Sequence, residues 1–218
     1  TRSLCDWSSD VCSSDLKEEI NKTKFTTGSS WALQKFIKKA VNENCYYLVL
    51  ETSSHALDQF RVWGIDYNIA VITNITREHL DYHLTMEDYE KTKLKLFQIT
   101  SKAWRRDTKK IGIINADMKN FKKFFLSGMN ENYLYGIDIK VNKYQKYPVW
   151  KVENLKLENF KSQFEVDGVK FKLELPGKFN VENALAAVCV GVSQKIPMNK
   201  IKKQLQEITN VPGRMEKI

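Results

Sequence analysis

The sequence predicts an α/β fold, with a mostly parallel sheet flanked by helices and a small antiparallel β subdomain. Between residues 30 and 126, short apolar runs alternate with stretches of helical periodicity, which is typical of a parallel sheet with crossover helices. From about residue 140 the apolar runs are short, and two of them are joined by Asp167-Gly168, a dipeptide typical of tight hairpins. The alternating part predicts the parallel sheet, and the later part predicts the antiparallel subdomain.

The individual elements follow from caps and periodicity. A helix is expected at residues 30–44, with Ser29 or Ser30 as its N-cap. A second helix is expected at residues 85–99, because Thr85 to Asp88 resemble a capping box. Strands are expected at residues 46–50, 68–72, 110–114, 149–157, 162–166 and 169–173, and further helices at 118–126, 180–193 and 199–208.

The composition narrows the class of protein. Hydrophobic residues make up 42% of the chain, enough for a core, and no apolar run is long enough to span a bilayer. The net charge of +9 raises nucleic acid as a partner. The lysines are nevertheless scattered over helices and turns without a dense basic run, so we favour a lysine-rich protein with an anionic substrate.

Residues 1–16 are set aside from the fold prediction. They repeat Ser-Ser-Asp, show neither helical nor strand periodicity, and resemble a translated sequencing adapter or a disordered tail. They also lack the apolar stretch of a signal peptide. Of the four cysteines, Cys45 and Cys189 then remain, and their distance in sequence predicts buried free thiols in a reducing cytoplasm.

Polar side chains follow the strand at residues 46–50. Three hydroxyl side chains follow Glu51, and its carboxylate suits Mg²⁺, which prefers oxygen ligands. A glutamate in a turn or helix cap is an equally good interpretation. Arg61 is either a surface residue or a bidentate ligand for phosphate or carboxylate. Because open α/β sheets bind ligands at the carboxyl ends of strands, this segment is a candidate binding site.

Lys93 is unusual for its place on the helix at residues 85–99. With about 100° per residue, it lies on the inward stripe, whereas Lys91 and Lys95 point away. It is either a snorkelling lysine or a reactive amine that is easily made neutral. The stripe consists of Met86, Tyr89, Glu90, Leu96 and Phe97.

Other polar residues leave two interpretations open. His79 and His83 are four residues apart, a spacing that fits a metal site on a helix, but a structural pair is the commoner outcome. Asn180 and Asn183 follow Leu175-Pro-Gly-Lys178, where an asparagine is either an N-cap or an amide that reads a base edge. The chain contains no Gly-x-x-x-x-Gly-Lys-Ser/Thr segment for phosphates.

Four segments together resemble motifs of the Mur ligase family, and specifically of the members that add the third amino acid to UDP-N-acetylmuramoyl-dipeptide. The resemblance runs from about Phe25 to the end of the chain. The four segments, which occur in the family's order and spacing, are Glu51 to Arg61, Thr73 to Lys93, Leu175 to Ala187 and Val211 to Glu216.

The resemblance implies a reaction and roles for single residues. ATP would activate a substrate carboxylate as an acyl phosphate, which an amino acid then attacks to form an amide. Glu51 would bind Mg²⁺, His79 a second Mg²⁺, and Lys93 would be carbamylated to meet that metal. Asn183 would contact the adenine of ATP, and Arg214 its phosphates. The substrate UDP-MurNAc-L-Ala-D-Glu would be bound by Thr26, Thr27, Ser53, Gln59 and Arg61.

The resemblance also implies domain limits and partners. Residues 17–214 would form the ATP-binding middle domain, with a phosphate loop expected before Phe25, and residues 215–218 would begin the linker to a C-terminal domain. We therefore expect this segment alone to be inactive. The incoming amino acid would be diaminopimelate or L-lysine, and the protein a bacterial cytoplasmic monomer that binds neither nucleic acid nor membrane. Two alternatives stay open: another Mur-type or folylpolyglutamate-like ligase, or a non-catalytic nucleotide- or UDP-sugar-binding module.

Overall fold

The computed structural model describes residues 4–7, 11–14, 17–20, 26–76, 82–104, 107–139 and 146–209. The helices are α1 (Ser30–Asn42), α2 (Ser54–Asp58), α3 (Met86–Ser101), α4 (Lys178–Ser193) and α5 (Met198–Glu207), and a short 3-10 helix covers Phe121–Phe124. The strands are β1 (Leu4–Trp7), β2 (Val11–Ser14), β3 (Lys17–Ile20), β4 (Tyr47–Leu50), β5 (Ile69–Ile72), β6 (Ile111–Asn115), β7 (Glu131–Gly136), β8 (Val149–Lys151), β9 (Glu153–Leu157), β10 (Ser162–Val166) and β11 (Val169–Leu173).

The chain divides into two compact units. The first contains Thr1–Asp66 and Arg77–Leu96, and the second contains Tyr67–Thr76 and Phe97–Ile218. The first unit thus holds β1 to β4, α1, α2 and most of α3, whereas the second holds the remaining strands together with α4 and α5.

The sheet of the first unit has the strand order β3-β2-β1-β4. β1 pairs with β4 in parallel, and the other two pairs are antiparallel. β1 and β2 lie within residues 1–16, the segment that the sequence analysis sets aside from the fold prediction. The side-chain pattern of this segment did not predict β1 and β2. An exposed strand edge such as that of β4 pairs through its backbone N–H and C=O groups, and such pairing needs no alternation of side chains.

Two helices of the first unit begin where caps predict them. Ser29 caps α1, because its hydroxyl accepts the backbone N–H of Ala32 at 3.3 Å. At the start of α3, Thr85 Oγ1 accepts the backbone N–H of Asp88 at 3.1 Å and donates to the Asp88 carboxylate at 2.7 Å. Both predicted helix starts are confirmed.

The second unit contains a parallel sheet, with the order β5-β6-β7-β8 and only parallel pairs. The predicted strand at residues 46–50, which is β4, is not part of it, because β4 pairs with β1 in the first unit. Its antiparallel sheet has the order β11-β10-β9. The predicted strand at residues 149–157 is in fact two strands, separated at the buried Val152: β8 completes the parallel sheet, and β9 begins the antiparallel one. The predicted α/β class with an antiparallel subdomain is confirmed.

One apolar core holds the second unit together. α4 packs against β6 and β7, while α5 packs against β11 and α4. The core includes Phe164 and Phe171, whose rings stack with centroids 5.2 Å apart. The Asp167-Gly168 hairpin is confirmed, with positive φ angles of 50° and 73° at its two turn residues.

α4 begins two residues earlier than predicted, after Gly177. The Asn180 side chain donates to the carbonyl of Pro176 at 2.7 Å from within the first turn, so the N-cap interpretation of Asn180 is wrong. Gly177 has a φ of 91°, a left-handed conformation that glycine adopts without strain and that lets the chain turn into the helix.

The cysteines differ from each other. Cys189 is a buried free thiol on α4, as predicted, and burial raises the pKa of this thiol well above its ordinary value. Cys45 is disulfide-bonded, so the prediction of a free thiol is wrong there. That prediction was made with residues 1–16, which carry the other two cysteines, left out. In the described residues, no helix combines the length and apolar character needed to cross a membrane.

Candidate functional site

Thr27 and Ser53 join two loops of the first unit. The Thr27 hydroxyl is buried, accepts the backbone N–H of Ser53 at 2.9 Å and donates to the backbone carbonyl of Glu51 at 2.9 Å. Ser53 is the N-cap of α2, since its hydroxyl accepts the N–H of Ala56 at 3.2 Å. The backbone of Glu51 is therefore fixed at the end of β4, while its side chain is exposed.

Arg61 extends this arrangement to the far end of α2. Its Nη1 donates to the backbone carbonyl of Thr27 at 2.6 Å, and its Nε donates to Gln59 Oε1 at 2.9 Å. Four of the five residues predicted to bind the UDP-sugar peptide are thus connected by hydrogen bonds: Thr27, Ser53, Gln59 and Arg61. Thr26, the fifth, is half-buried next to Thr27.

A second group of polar residues lies beside Gln59. Asp58 accepts from Lys95 Nζ at 2.6 Å and from the Tyr82 hydroxyl at 3.0 Å. These hydrogen bonds, first Lys95 and then Tyr82, lower the pKa of the Asp58 carboxyl below its usual value, so it is charged at neutral pH. The Tyr82 hydroxyl in turn accepts from Gln59 Nε2 at 3.4 Å.

Lys93 lies on the inward stripe of α3, as predicted. Tyr89, Glu90 and Phe97 of this stripe are buried, and Lys93 itself is half-buried, with its Nζ 5.7 Å from the centroid of the Tyr89 ring. Lys91 is exposed, as predicted. Lys95, which was expected to face water, is paired with the Asp58 carboxylate at the end of α2.

His83 is buried in a cluster of aromatic rings. The centroid of its ring is 4.9 Å from that of Tyr82, 5.2 Å from that of Tyr89 and 5.9 Å from that of His55. This environment fits the structural interpretation of His83. His79, the other member of the predicted pair, lies outside the described residues.

The predicted Mg²⁺ ligands are Glu51, His79 and a carbamate on Lys93. The exposed carboxylate of Glu51 on a fixed backbone fits a cation that prefers oxygen ligands. Lys93 becomes an oxygen ligand only if it is carbamylated. No group of three His, Cys, Asp or Glu side chains suited to a metal occurs in the part of the chain that the structure describes, which does not include His79.

The second unit has a polar pocket of its own, with a volume of 530 Å³. Asp117 shapes it: its carboxylate accepts the backbone N–H of Ile137 at 2.6 Å and that of Asp138 at 3.1 Å. Lys178, at the start of α4, donates to Asp138 at 2.7 Å, and this hydrogen bond raises the pKa of Lys178. The lining residues are Asn74, Asn115, Ala116, Asp117, Met118, Phe121, Asp138, Ile139, Lys178 and Glu182.

Asn183, the predicted adenine contact, is exposed on α4 and does not line this pocket. Its neighbour Glu182 does, and burial raises the pKa of the Glu182 carboxyl. At about 100° per residue, the two side chains point in directions roughly a right angle apart. Arg214 lies outside the described residues, so its predicted contact with ATP phosphates stays a prediction.

The sequence analysis missed Asp58, Tyr82 and Lys95 as parts of the site. One signal was available, since Asp58 directly precedes Gln59 in the segment from Glu51 to Arg61. For Lys95, helical periodicity predicted a side chain that faces water. In the structure it pairs with Asp58 at the end of α2.

Comparison with known proteins agrees with the fold. The Mur ligase middle domain family matches residues 10–191. A "UDP-N-acetylmuramoyl-L-alanyl-D-glutamate--2,6-diaminopimelate ligase" of Bacillus velezensis is 36% identical over 203 residues, which are 91% of this chain and 40% of that protein. A protein of Clostridium acetobutylicum with the same name, numbered 1, is 35% identical over 88% of this chain and 37% of its own length. The chain spans about two fifths of these relatives.

Solved structures resemble the fold as well. One of a "UDP-N-acetylmuramoyl-L-alanyl-D-glutamate--2,6-diaminopimelate ligase" has a TM-score of 0.77 at 23% identity, covering 99% of this chain and 42% of that one. A MurF structure from Acinetobacter baumannii has a TM-score of 0.60 at 15% identity, covering 79% of this chain and 36% of that one. Since the family match covers most of its residues, the chain belongs to the Mur ligase family, in which it represents the middle domain.

Proposed function

We propose that this chain is the ATP-binding middle domain of a ligase that adds the third amino acid to UDP-MurNAc-L-Ala-D-Glu in peptidoglycan precursor synthesis. One observation carries the proposal: Thr27, Ser53, Gln59 and Arg61, which the family resemblance assigns to this substrate, are joined by hydrogen bonds within the first unit. Side chains positioned in this way are already ordered before the substrate binds, so binding does not pay the entropy cost of ordering them.

The chemistry of the cluster suits an anionic substrate. UDP-MurNAc-L-Ala-D-Glu carries a diphosphate and carboxylates, and Arg61 brings a permanent positive charge whose planar shape matches such groups. The hydrogen bonds from Arg61 to Thr27 and Gln59 fix the guanidinium before the substrate arrives. Arg61 would therefore select the substrate by charge and orient it.

Glu51 and Lys93 would serve the ATP-dependent step. Mg²⁺, when bound, would neutralise charge on the phosphates of ATP. Glu51 would offer one Mg²⁺ a carboxylate, and His79 would hold a second Mg²⁺. The Lys93 ammonium would first lose a proton. CO₂ would then add to the neutral Nζ, forming an N–C bond and releasing a second proton, so that the side chain would end in an anionic oxygen ligand. Asn183 and Arg214 would contact the adenine and the phosphates of ATP.

The names of the relatives bear on the incoming amino acid. Both curated relatives are called 2,6-diaminopimelate ligases. We therefore take diaminopimelate, rather than L-lysine, as the amino acid that the complete enzyme adds. The expected setting is the bacterial cytoplasm, and the expected state is a monomer.

The proposal is tested in the complete ligase that contains this domain. We expect ATP-dependent formation of the UDP-MurNAc-tripeptide with diaminopimelate and a much lower rate with L-lysine. Arg61→Ala should raise the KM for UDP-MurNAc-L-Ala-D-Glu at least tenfold, which corresponds to a loss of about 1.4 kcal/mol or more of binding free energy. The KM for ATP should stay nearly unchanged. A complete enzyme without ligase activity, or an Arg61→Ala variant with an unchanged KM for the UDP-sugar peptide, would contradict the proposal.

A further inference from the structure

Asp58 connects three segments of the first unit, although no role predicted from the sequence uses it. It is the last residue of α2 and directly precedes Gln59. Its Oδ1 accepts a hydrogen bond from Lys95 Nζ on α3 at 2.6 Å, and its Oδ2 accepts one from the Tyr82 hydroxyl at 3.0 Å. One carboxylate therefore joins the end of α2 both to α3 and to the turn that precedes α3.

From Tyr82 the hydrogen bonds continue into the proposed substrate residues. The Tyr82 hydroxyl accepts from Gln59 Nε2 at 3.4 Å, and Gln59 Oε1 accepts from Arg61 Nε at 2.9 Å. Arg61 Nη1 then donates to the carbonyl of Thr27 at 2.6 Å. The path from α3 to the loop at Thr27 is thus continuous, and every member of it belongs to the first unit.

The backbone between Asp58 and Arg61 makes a tight turn at the end of α2. Phe60 has a φ of 54°, in the left-handed region that a bulky residue rarely adopts. Its side chain is exposed, and its ring centroid lies 5.8 Å from Lys95 Nζ. Backbone hydrogen bonds hold this turn, from the Phe60 N–H to the carbonyl of Leu57 at 3.4 Å and from the Arg61 N–H to the carbonyl of Ala56 at 2.9 Å. The side-chain contacts of Asp58 and Arg61 flank it on both sides.

We propose that Asp58, Tyr82 and Lys95 form a clamp that positions Gln59 and Arg61 for the anionic substrate. The three residues of this clamp are positioning residues, since they act through Gln59 and Arg61. The inference rests on the substrate role that the proposed function gives to Gln59 and Arg61. It goes beyond that role by assigning a function to an ion pair that would otherwise count as an ordinary surface contact of small energetic value.

The experiment uses the 218-residue chain labelled with nitrogen-15. Exchange of the Arg61 Nε–H proton with water is followed by NMR in wild type, Asp58→Asn and Lys95→Met. The affinity for UDP-MurNAc-L-Ala-D-Glu is measured by calorimetry with the same variants of the complete ligase that contains this domain. Glu87→Gln is the matched control, because Glu87 forms an exposed ion pair with Lys91 at 3.1 Å on the same helix. Arg61→Ala reports on the substrate role itself.

We expect both clamp variants to accelerate the Arg61 exchange and to weaken binding roughly tenfold, since small displacements of positioning groups are costly. Glu87→Gln should change neither quantity. Unchanged exchange in Asp58→Asn would overturn the clamp, and faster exchange with unchanged affinity would overturn its function in binding. If Arg61→Ala binds as tightly as wild type, or if wild type does not bind, the substrate role fails, while the exchange data still decide whether the clamp exists.

Discussion

The two units of the chain hold their polar groups in different ways. In the first unit, Thr27, Arg61 and Asp58 are fixed by side-chain hydrogen bonds between loops and helix ends, and several members are half-exposed. In the second unit, the pocket residue Asp117 accepts hydrogen bonds from backbone N–H groups just after the end of β7, in a parallel sheet that packs on a large apolar core. The first arrangement therefore depends on charges, and the second on packing.

This difference predicts which substitutions change stability and which change binding. Substitutions in the core of the second unit should lower the free energy of unfolding by several kcal/mol, as about 2–5 kcal/mol is typical for large-to-small changes. Substitutions in the polar network of the first unit should change it little, because exposed ion pairs contribute about 0–1 kcal/mol. They should instead affect substrate affinity.

The largest effect is expected for Phe171→Ala. Phe171 is 2% exposed and stacks on Phe164. Its truncation should lower the free energy of unfolding by about 3–5 kcal/mol, which denaturant titration measures. Phe160→Ala is the control, since Phe160 is 60% exposed and its loss should change stability by less than about 0.5 kcal/mol. Equal effects of the two variants would remove the distinction between packed and exposed rings.

A smaller effect is expected for Asp117→Ala. The variant leaves the backbone N–H groups of Ile137 and Asp138 without their acceptor, which should cost about 2–3 kcal/mol. Hydrogen exchange of these two amides, which directly follow β7, should become faster than in the wild type, while exchange within β7 itself should change less. Asp138→Ala removes an exposed carboxylate near the same pocket and should cost less than about 1 kcal/mol. Slow exchange of both amides in Asp117→Ala would show that the backbone after β7 keeps its structure without the carboxylate.

The smallest effect on stability is expected for Asp58, and it should depend on pH. The folded-state pKa of Asp58 lies below the usual 3.8, so the carboxylate stabilises the fold above that pH and loses its contribution as the pH falls through the folded pKa. At pH 7, Asp58→Asn should cost less than about 1 kcal/mol, because the pair is partly exposed. The difference between wild type and Asp58→Asn should shrink in acid below pH 3.8. A difference that stays constant down to pH 2 would contradict the charge-based explanation.

The fold was largely predictable from the sequence, and particular elements show why. The hairpin at Asp167-Gly168 and the helix starts at Ser29 and Thr85 are local features, determined by turn and cap chemistry within a few residues. The strand β7 and the break at Val152 were missed, because they depend on which strands lie next to them in the sheet. β1 and β2 were missed because backbone pairing leaves no clear pattern in the side chains.

For the candidate site, the sequence identified residues but not how they are connected. The segment from Glu51 to Arg61 contains Ser53, Gln59 and Arg61, and their joining through Thr27 follows only from the folded loops. The partner of Lys95 is Asp58, 37 residues away, and helical periodicity on its own carries no information about such a contact. His79 and Arg214 lie outside the described residues, and their roles stay predictions.

The central claim is that this domain serves a carboxylate-activating ligase in which the inward Lys93 becomes a carbamate. The most direct test is Lys93→Ala in the complete enzyme, with Lys91→Ala, an exposed lysine on the same helix, as the control. We expect Lys93→Ala to lose at least about 100-fold in kcat/KM, or about 2.7 kcal/mol, with partial recovery when formate or acetate is added, and Lys91→Ala to stay fully active. Unchanged activity of Lys93→Ala would contradict the account.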